Sequence, residues 1–368
     1  MPRQFCIACV LAAGLLASGA NAYEMSFLQA YELARSEAPE LVLARLQVES
    51  AEAQKGVARG RLLPQVSLFG QFSDNQVEYG DGTADGYRDN FRGERYGLQV
   101  SQTIFNVADA LELSRLDLVY QQSQEEFHVA ERELISLLVE TYLMVLLAES
   151  ELISYETELL ALQTQLAESD ALYRKKLVPV TDVLEVQSRV DASVADVTMA
   201  VGEVAVAREN LYQLTGQRNV ALVPVNDHVT LIASPGSIEE AAAAGVINSP
   251  AVSAAEKAVS AAQKGVDRER GSWIPQVDLT YSYQTADVGF DNLRTPPRDT
   301  STVAIGFNYP LFEGGAKLAR LRGARAEYSS AKIRLEAEKK RSESRARSAW
   351  LNSEATAKRV LAARKAVI

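Results

Sequence analysis

The sequence predicts an α+β membrane protein in which one helix–strand–strand–long helix unit is written twice. Three observations predict it: an internal repeat, four stretches of period-two alternation, and helical runs too long for a globule. Pro39 and Pro64 lie 25 positions apart, as do Pro250 and Pro275. A shift of 211 residues superposes the two pairs and sets Leu63-Pro64-Gln65-Val66 on Ile274-Pro275-Gln276-Val277. A shift of 207 sets Leu98-Gln99-Val100 on Ile305-Gly306-Phe307 and Ile104-Phe105 on Leu311-Phe312. A repeat of this kind fixes the architecture before any local reading.

Met1 to Ala22 reads as a cleaved secretory signal. Arg3 is its positive end, Phe5 to Leu16 is apolar, and Ala20-Asn21-Ala22 offers small residues before Tyr23. The apolar run is too short to cross a bilayer. The two cysteines, Cys6 and Cys9, both fall inside it. The mature chain is therefore expected to hold no disulfide, reactive thiol or thiolate metal site. Neither cysteine ends the apolar run, where lipid attachment would need it. The formal charge of -10 argues against a nucleic-acid partner.

The first repeat is predicted over 23–216, with a helix at 40–62, strands at 64–73 and 95–105, and a long helical hairpin at 107–214. A connector with a short helix fills 217–249. The second repeat takes 250–368, with a helix at 250–272, strands at 275–285 and 301–310, and a long helix at 314–368. By the offsets of the first repeat, its return helix would end near residue 421, about 53 residues further on. The second repeat is therefore expected to be incomplete.

The four strands each show one apolar and one polar face. Val66, Leu68 and Phe72 alternate with Gln65, Ser67, Phe69 and Gln71. Tyr96, Leu98, Val100 and Ile104 alternate with Gly97, Gln99, Ser101 and Thr103. Val277, Leu279, Tyr281 and Tyr283 alternate with Gln276, Asp278, Thr280, Ser282 and Gln284, and Val303, Ile305, Phe307 and Tyr309 with Thr302, Ala304, Gly306 and Asn308. Alternation over about ten residues fits a strand with water on one side and lipid on the other. No later segment is long and apolar enough for a transmembrane helix, so any membrane entry must use strands. Four strands cannot close around water, and an open edge in lipid leaves N–H and C=O groups unpaired at several kcal/mol each. Several chains must then pool their strands. Loops of roughly twenty and fifteen residues are expected between the strands, across Asn75 to Arg95 and around Asn292 to Asp299, as on the outer side of a bacterial barrel.

From Val107 to about Arg174 there is neither proline nor glycine, a helix on the order of 100 Å. Leu138, Val145, Leu152, Leu159, Leu166 and Tyr173 recur every seven residues, with Ala148, Tyr155 and Leu162 between them. The returning helix carries Val183, Val190, Val197, Val204 and Leu211, with Val186, Ala200, Ala207 and Leu214 interleaved. These are coiled-coil seams. The turn Lys175-Lys176-Leu177-Val178-Pro179 joins them, Thr181 or Asp182 is expected to cap the return, and Gly216 to end it.

At these residues the chain resembles the TolC family of outer-membrane channel proteins, over nearly all of Tyr23 to Ile368. The pieces are Gln29-Ala30-Tyr31 with Ala38-Pro39-Glu40-Leu41, Leu62-Leu63-Pro64-Gln65-Val66, Leu98 to Phe105, Leu177-Val178-Pro179-Val180-Thr181-Asp182-Val183, Trp273-Ile274-Pro275-Gln276, and Pro310-Leu311-Phe312-Glu313-Gly314-Gly315. The resemblance implies a homotrimer. Each protomer would give four strands to one 12-stranded outer-membrane β-barrel, continued by a long α-helical coiled-coil barrel through the periplasm. It implies an exit duct for a tripartite efflux pump or type I secretion system, with no catalysis and no cofactor. Its partners would be outer-membrane lipid, a periplasmic adaptor and an inner-membrane pump or transporter. Lys176, Leu177, Val178 and Pro179 would be the hairpin tip that meets the adaptor, and Thr181 and Asp182 would belong to the periplasmic gate. The lipid-facing positions would be Val66, Leu68, Phe72, Leu98, Val100, Val277, Leu279, Tyr281, Ile305 and Phe307. The family usually has Gly where Lys176 stands and a small residue at Pro179. Its acidic constriction ring lies mostly on a second hairpin, beyond residue 368.

Other signals carry less. Asp81-Gly82-Thr83-Ala84-Asp85-Gly86 begins like a calcium loop, but Arg92 holds the place of the closing Glu. Gly314-Gly315 precedes no Gly-Lys-Ser/Thr and reads as a strand-to-helix turn. His128 and His228 stand apart from other metal ligands, so no metal site is expected. The charged run Arg334 to Arg347 reads as a solvated helix face. No Ser, His and Asp arrangement suggests a nucleophile. The competing reading is a soluble periplasmic coiled-coil scaffold whose sheet packs under its own helices. A passive porin would have no use for the long hairpins.

Overall fold

The structure, a computed structural model, describes residues 24–79, 87–218, 220–225, 236–287 and 296–366. The signal segment, the Asp81 to Gly86 stretch and His228 lie outside the described residues. In chain order the elements are β1 (Glu24–Met25), α1 (Phe27–Glu37), α2 (Pro39–Arg61), β2 (Gln65–Tyr79), β3 (Tyr87–Phe105), α3 (Val107–Arg174), α4 (Val180–Thr215), β4 (Ala221–Leu222), α5 (Ile238–Ile247), α6 (Pro250–Gly271), β5 (Gln276–Ala286), β6 (Arg298–Asn308) and α7 (Ala316–Ala366). They form two compact units that cut across the sequence repeats. One comprises the chain up to Pro39 with Glu133–Thr230, the other Glu40–Arg132 with Leu231–Ile368. The helix α3 runs without a break for 68 residues.

The first unit is a helical seam closed at one end by a small polar clasp. Leu134, Leu138, Tyr142, Val145 and Ala148 are buried along α3, and Val186, Val190, Ala200, Val204, Ala207 and Leu211 along α4. The period of seven therefore marks the covered stripe. Toward the turn, Leu152, Leu159 and Leu166 are only half-buried. Arg208 of α4 reaches across to Glu149 of α3 at 2.7 Å. The clasp is built by β1, which pairs in parallel with β4. The Tyr142 hydroxyl lies 2.7 Å from the Val223 carbonyl and 3.0 Å from that of Met25, so it holds both strands. Burial pushes the Tyr142 phenol above its usual range. Phe27 meets the same ring edge-on, with centroids 5.7 Å apart. The helix α1 starts with a reciprocal cap, in which Ser26 Oγ accepts from Gln29 N and Gln29 Oε1 accepts from Ser26 N.

The second unit holds one four-stranded antiparallel sheet in the order β2-β3-β5-β6. It also holds helices α5 and α6 packed along α7. Pro250 sits at the start of α6 behind Ser249, whose Oγ accepts from Val252 N at 3.4 Å. An ionic cluster ties the helix ends near the sheet. Glu112 of α3 takes Arg115 at 2.7 Å and Arg268 of α6 at 3.2 Å. The buried Glu269 pairs with Arg268 and, at 3.6 Å, with Arg320 of α7. The hydrogen bond from Arg115, with the charges of Arg115 and Arg268, holds the Glu112 carboxyl below the usual range. Lys317, buried over the Trp273 ring, donates to the Pro310 carbonyl at 3.1 Å.

Three expectations change. The strands of the first hairpin run 15 and 19 residues rather than about ten, because β2 and β3 continue to pair beyond Phe72, where most residues are polar and only Val77 and Phe91 stand among them as isolated apolar positions. The expected loop from Asn75 to Arg95 is therefore mostly strand, and its central residues lie outside the described ones. The last long helix begins at Ala316 rather than residue 314, since Gly314 and Gly315 hold φ of 59° and 86°. The charged run of α7 is not wholly solvated. Lys339 reaches Glu256 at 3.8 Å, and the buried Ser342 shares a hydrogen bond with Ser249 at 3.1 Å.

Candidate functional site

The strand register places the ten expected lipid-facing residues on one face of the sheet. Val66 stands opposite Val100, Val100 opposite Tyr281, and Tyr281 opposite Val303. Leu68 stands opposite Leu98, Leu279 opposite Ile305, and Val277 opposite Phe307. Phe72 completes the face on β2. Tyr96, Tyr283 and Val303 belong to it as well. This face is bare: Leu68, Phe72 and Ile305 are 83%, 78% and 76% exposed. Leu98, Val100, Val277 and Leu279 are half-buried among them, and each fully exposed side chain forgoes roughly 1.5–3 kcal/mol of burial in water, so an apolar patch of this extent calls for lipid or a partner. The sheet is also open, with β2 and β6 as its two edges.

The opposite face is polar. One row runs Ser67, Gln99, Ser282 and Thr302, and the next Gln65, Ser101, Thr280 and Ala304. Aromatic side chains interrupt this face at Phe91, buried opposite Asn75, and at Phe69, which lies over Gly97 on the neighbouring strand. A Cβ at Gly97 would meet the Phe69 ring edge at 2.9 Å and strike the Tyr283 carbonyl oxygen. Glycine is therefore required there by close approach. The Arg95 guanidinium stacks 5.3 Å from the same ring. The sequence signal for this packing was Gly97 itself, a small residue facing a large one across the pair.

The turn between α3 and α4 is exposed and tightly hydrogen-bonded. Lys176 N donates to Tyr173 O at 2.7 Å and Leu177 N to Leu172 O at 3.0 Å, a Schellman end. It requires left-handed backbone, and Lys176 takes φ 58°. Leu177 is 67% exposed. The capping expectation is corrected. Pro179, extended at φ -74°, ψ 158°, is the N-cap of α4, with no side-chain cap bond. The helix begins two residues earlier than a Thr181 cap would allow, so Thr181 and Asp182 fall inside its first turn. There Thr181 Oγ1 donates to Asp182 Oδ1 at 3.2 Å, and the exposed carboxylate sits at the positive end of the helix. Sequence reasoning missed the left-handed Lys176; a non-glycine at a helix end gives no periodic signal.

Among the described residues no cluster of His, Cys, Asp and Glu could hold a metal, and no helix is long and apolar enough to cross a membrane. His128 is exposed and faces Glu131 at 3.6 Å.

Comparison with known proteins agrees with this geometry. The outer membrane efflux protein family matches residues 30–217 and 246–367. The chain is 23% identical to the outer membrane protein TolC of Escherichia coli (strain K12), over 96% of this chain and 73% of that protein. It is 24% identical to the alkaline protease secretion protein AprF of Pseudomonas aeruginosa, over 83% of this chain and 64% of that protein. Among solved structures, the CusC channel superposes with a TM-score of 0.79 at 19% identity, covering 99% of this chain and 83% of CusC. With the bare apolar face, the open sheet and the unbroken 68-residue helix in place, the chain belongs to the outer membrane efflux protein family.

Proposed function

We propose that this chain is one third of a gated outer-membrane exit duct serving a tripartite efflux pump or a type I secretion system. The observation that carries this reading is the bare apolar face on a sheet with two open edges. Three copies pool twelve strands, the apolar face meets lipid, and the polar face of Ser67, Gln99, Thr280, Ser282 and Thr302 lines a watery lumen. The first and second repeats, 23–216 and 250–368, supply the strands in equivalent pairs. The turn Lys176 to Pro179 is the surface offered to a periplasmic adaptor, which links the duct to an inner-membrane pump. Thr181 and Asp182 stand beside that turn as gate residues, and the loss of a cap role for Asp182 leaves its carboxylate available. The duct performs no catalysis; the partner pump supplies the energy.

The test of the assembly is extraction from the outer-membrane fraction. A trimer that needs detergent is expected, and a detergent-free monomer would return the scaffold reading. The gate is tested by Asp182→Ala, which is expected to raise single-channel conductance in planar bilayers. Unchanged conductance in an intact trimer removes Asp182 from the gate.

A further inference from the structure

We infer the register in which two copies of this chain join strands: Thr302 of β6 lies opposite Ser73 of the partner subunit. The inference rests on the trimeric reading above and supplies a detail that reading leaves open. In a closed ring of identical copies the edge β6 of one meets the edge β2 of the next, and with four antiparallel strands in the order β2-β3-β5-β6 that junction is antiparallel too.

The stagger is read from the apolar belt. Val66, Val100, Tyr281 and Val303 form one row across the four strands. Yet Val66 opens the belt of β2 at its end near the helices, and Val303 opens the belt of β6 at its far end. The belt therefore slants across the rows, by about four to six residues over three strand steps, judged from Val66 to Phe72 and from Val303 to Phe307. A fourth step, which returns to an equivalent strand, brings the slant to roughly five to eight residues. Side chains alternate, so only an even value keeps the apolar face continuous. With strands ~4.8 Å apart and ~3.3 Å per residue, six residues tilt a twelve-stranded barrel by about 45°, and eight by about 54°. Membrane barrels tilt by about 35–45°, which selects six. The row Phe69, Gly97, Gln284, Thr300 then meets the next β2 six residues past Phe69. Thr300 lies opposite Asn75 of the partner subunit, and Thr302 opposite Ser73 of the partner subunit.

The length of β2 bounds the stagger: all of β6 finds strand partners in Gln65–Tyr79 only for staggers of four to eight residues, a range centred on six. Among the described residues β2 has β3 as its one strand neighbour along its whole length, residues 74–79 included. In the inferred register, the 11 residues of β6 face positions 77 to 67, all inside β2. A β2 that ended with the predicted alternation, near residue 73, would leave Arg298 to Ser301 without strand partners. The unpredicted extension is thus the seat of the far half of β6.

The test is disulfide trapping in the full chain with Cys6 and Cys9 replaced by Ala. Thr302→Cys is combined in turn with Gln71→Cys, Ser73→Cys and Asn75→Cys, all on the polar face. Directly opposed residues lie within disulfide reach, whereas a displacement of two residues puts them beyond about 7 Å. The Ser73 combination is expected to give covalently linked subunits on oxidation, about tenfold more than either neighbour. The in-register pair Gln71→Cys with Ala304→Cys repeats the test should one variant fail to assemble. Equal or better linkage at Thr302 with Gln71 or Asn75, or no linkage in protein of trimeric native mass, overturns the register alone. A monomeric native mass overturns the trimeric reading and the register with it.

Discussion

The helical seam of α3 and α4 and the strand face of the sheet are both apolar stripes, but the chain covers only the first. Leu138 and Val145 are fully buried, whereas Leu68 and Ile305 stand open. The difference is one of closure. A helix whose stripe repeats every seven residues can meet a second stripe after a short turn, and α3 meets α4 after Lys175 to Pro179. Four strands with one greasy face cannot curl upon themselves, so their cover must come from outside the chain. An apolar stripe with a regular period in this protein therefore marks a face that avoids water, and the period shows whether a second helix or a cover from outside the chain provides the shelter.

Substitutions that separate the two kinds of shelter sharpen this comparison. The largest effect is expected in the seam, where Leu138→Ala should cost about 2–5 kcal/mol by emptying a packed site. Urea unfolding followed by helical circular dichroism would measure it. A loss below about 1 kcal/mol would mean the seam is not a core. On the strand face, Leu279→Lys should cost about 2–4 kcal/mol near the bilayer middle, read as the folded fraction in lipid vesicles. A negligible cost there would place Leu279 in water and break the comparison. The smallest effect belongs to the turn that lets the seam close. Two helix ends take left-handed backbone, α4 at Gly216 with φ 67° and α3 at Lys176 with φ 58°. Glycine holds that conformation without strain and lysine does not. Lys176→Gly should therefore stabilise the hairpin by about 0.5–1 kcal/mol, visible as a small rise in melting temperature. A fall instead would show that the lysine side chain contributes more than its backbone costs.

Much of this molecule could be read from local pattern. The strands β5 and β6, the helix starts at Pro39 and Pro250, and the glycine end of α4 follow from alternation, proline geometry and φ preference. The two apolar faces follow from their periods. The far parts of β2 and β3 did not show, because past Phe72 polar residues predominate on both faces, and the isolated Val77 and Phe91 do not make a run of alternation. Pairing between Asp74 and Arg92, or Glu78 and Arg88, is a matter of cross-strand register, not of composition. The start of α4 was misread for a similar reason. Thr181 and Asp182 are good caps by type, but Pro179 already holds extended backbone and the helix forms directly behind it. The cluster of Glu112, Arg268, Glu269 and Arg320 joins α3, α6 and α7 across long stretches of sequence, and charged residues at those separations have no visible partners until the chain is folded.

The sequence alone determined the duplicated frame and the seven- and two-residue periods, since each is a property of residues near one another in the chain. Only the tertiary structure decided the strand register, the overhang of the first hairpin, the left-handed Lys176 and the ionic joint beneath the sheet. These depend on which distant backbone groups find each other, and hydrogen-bond geometry across strands and helix ends sets that choice.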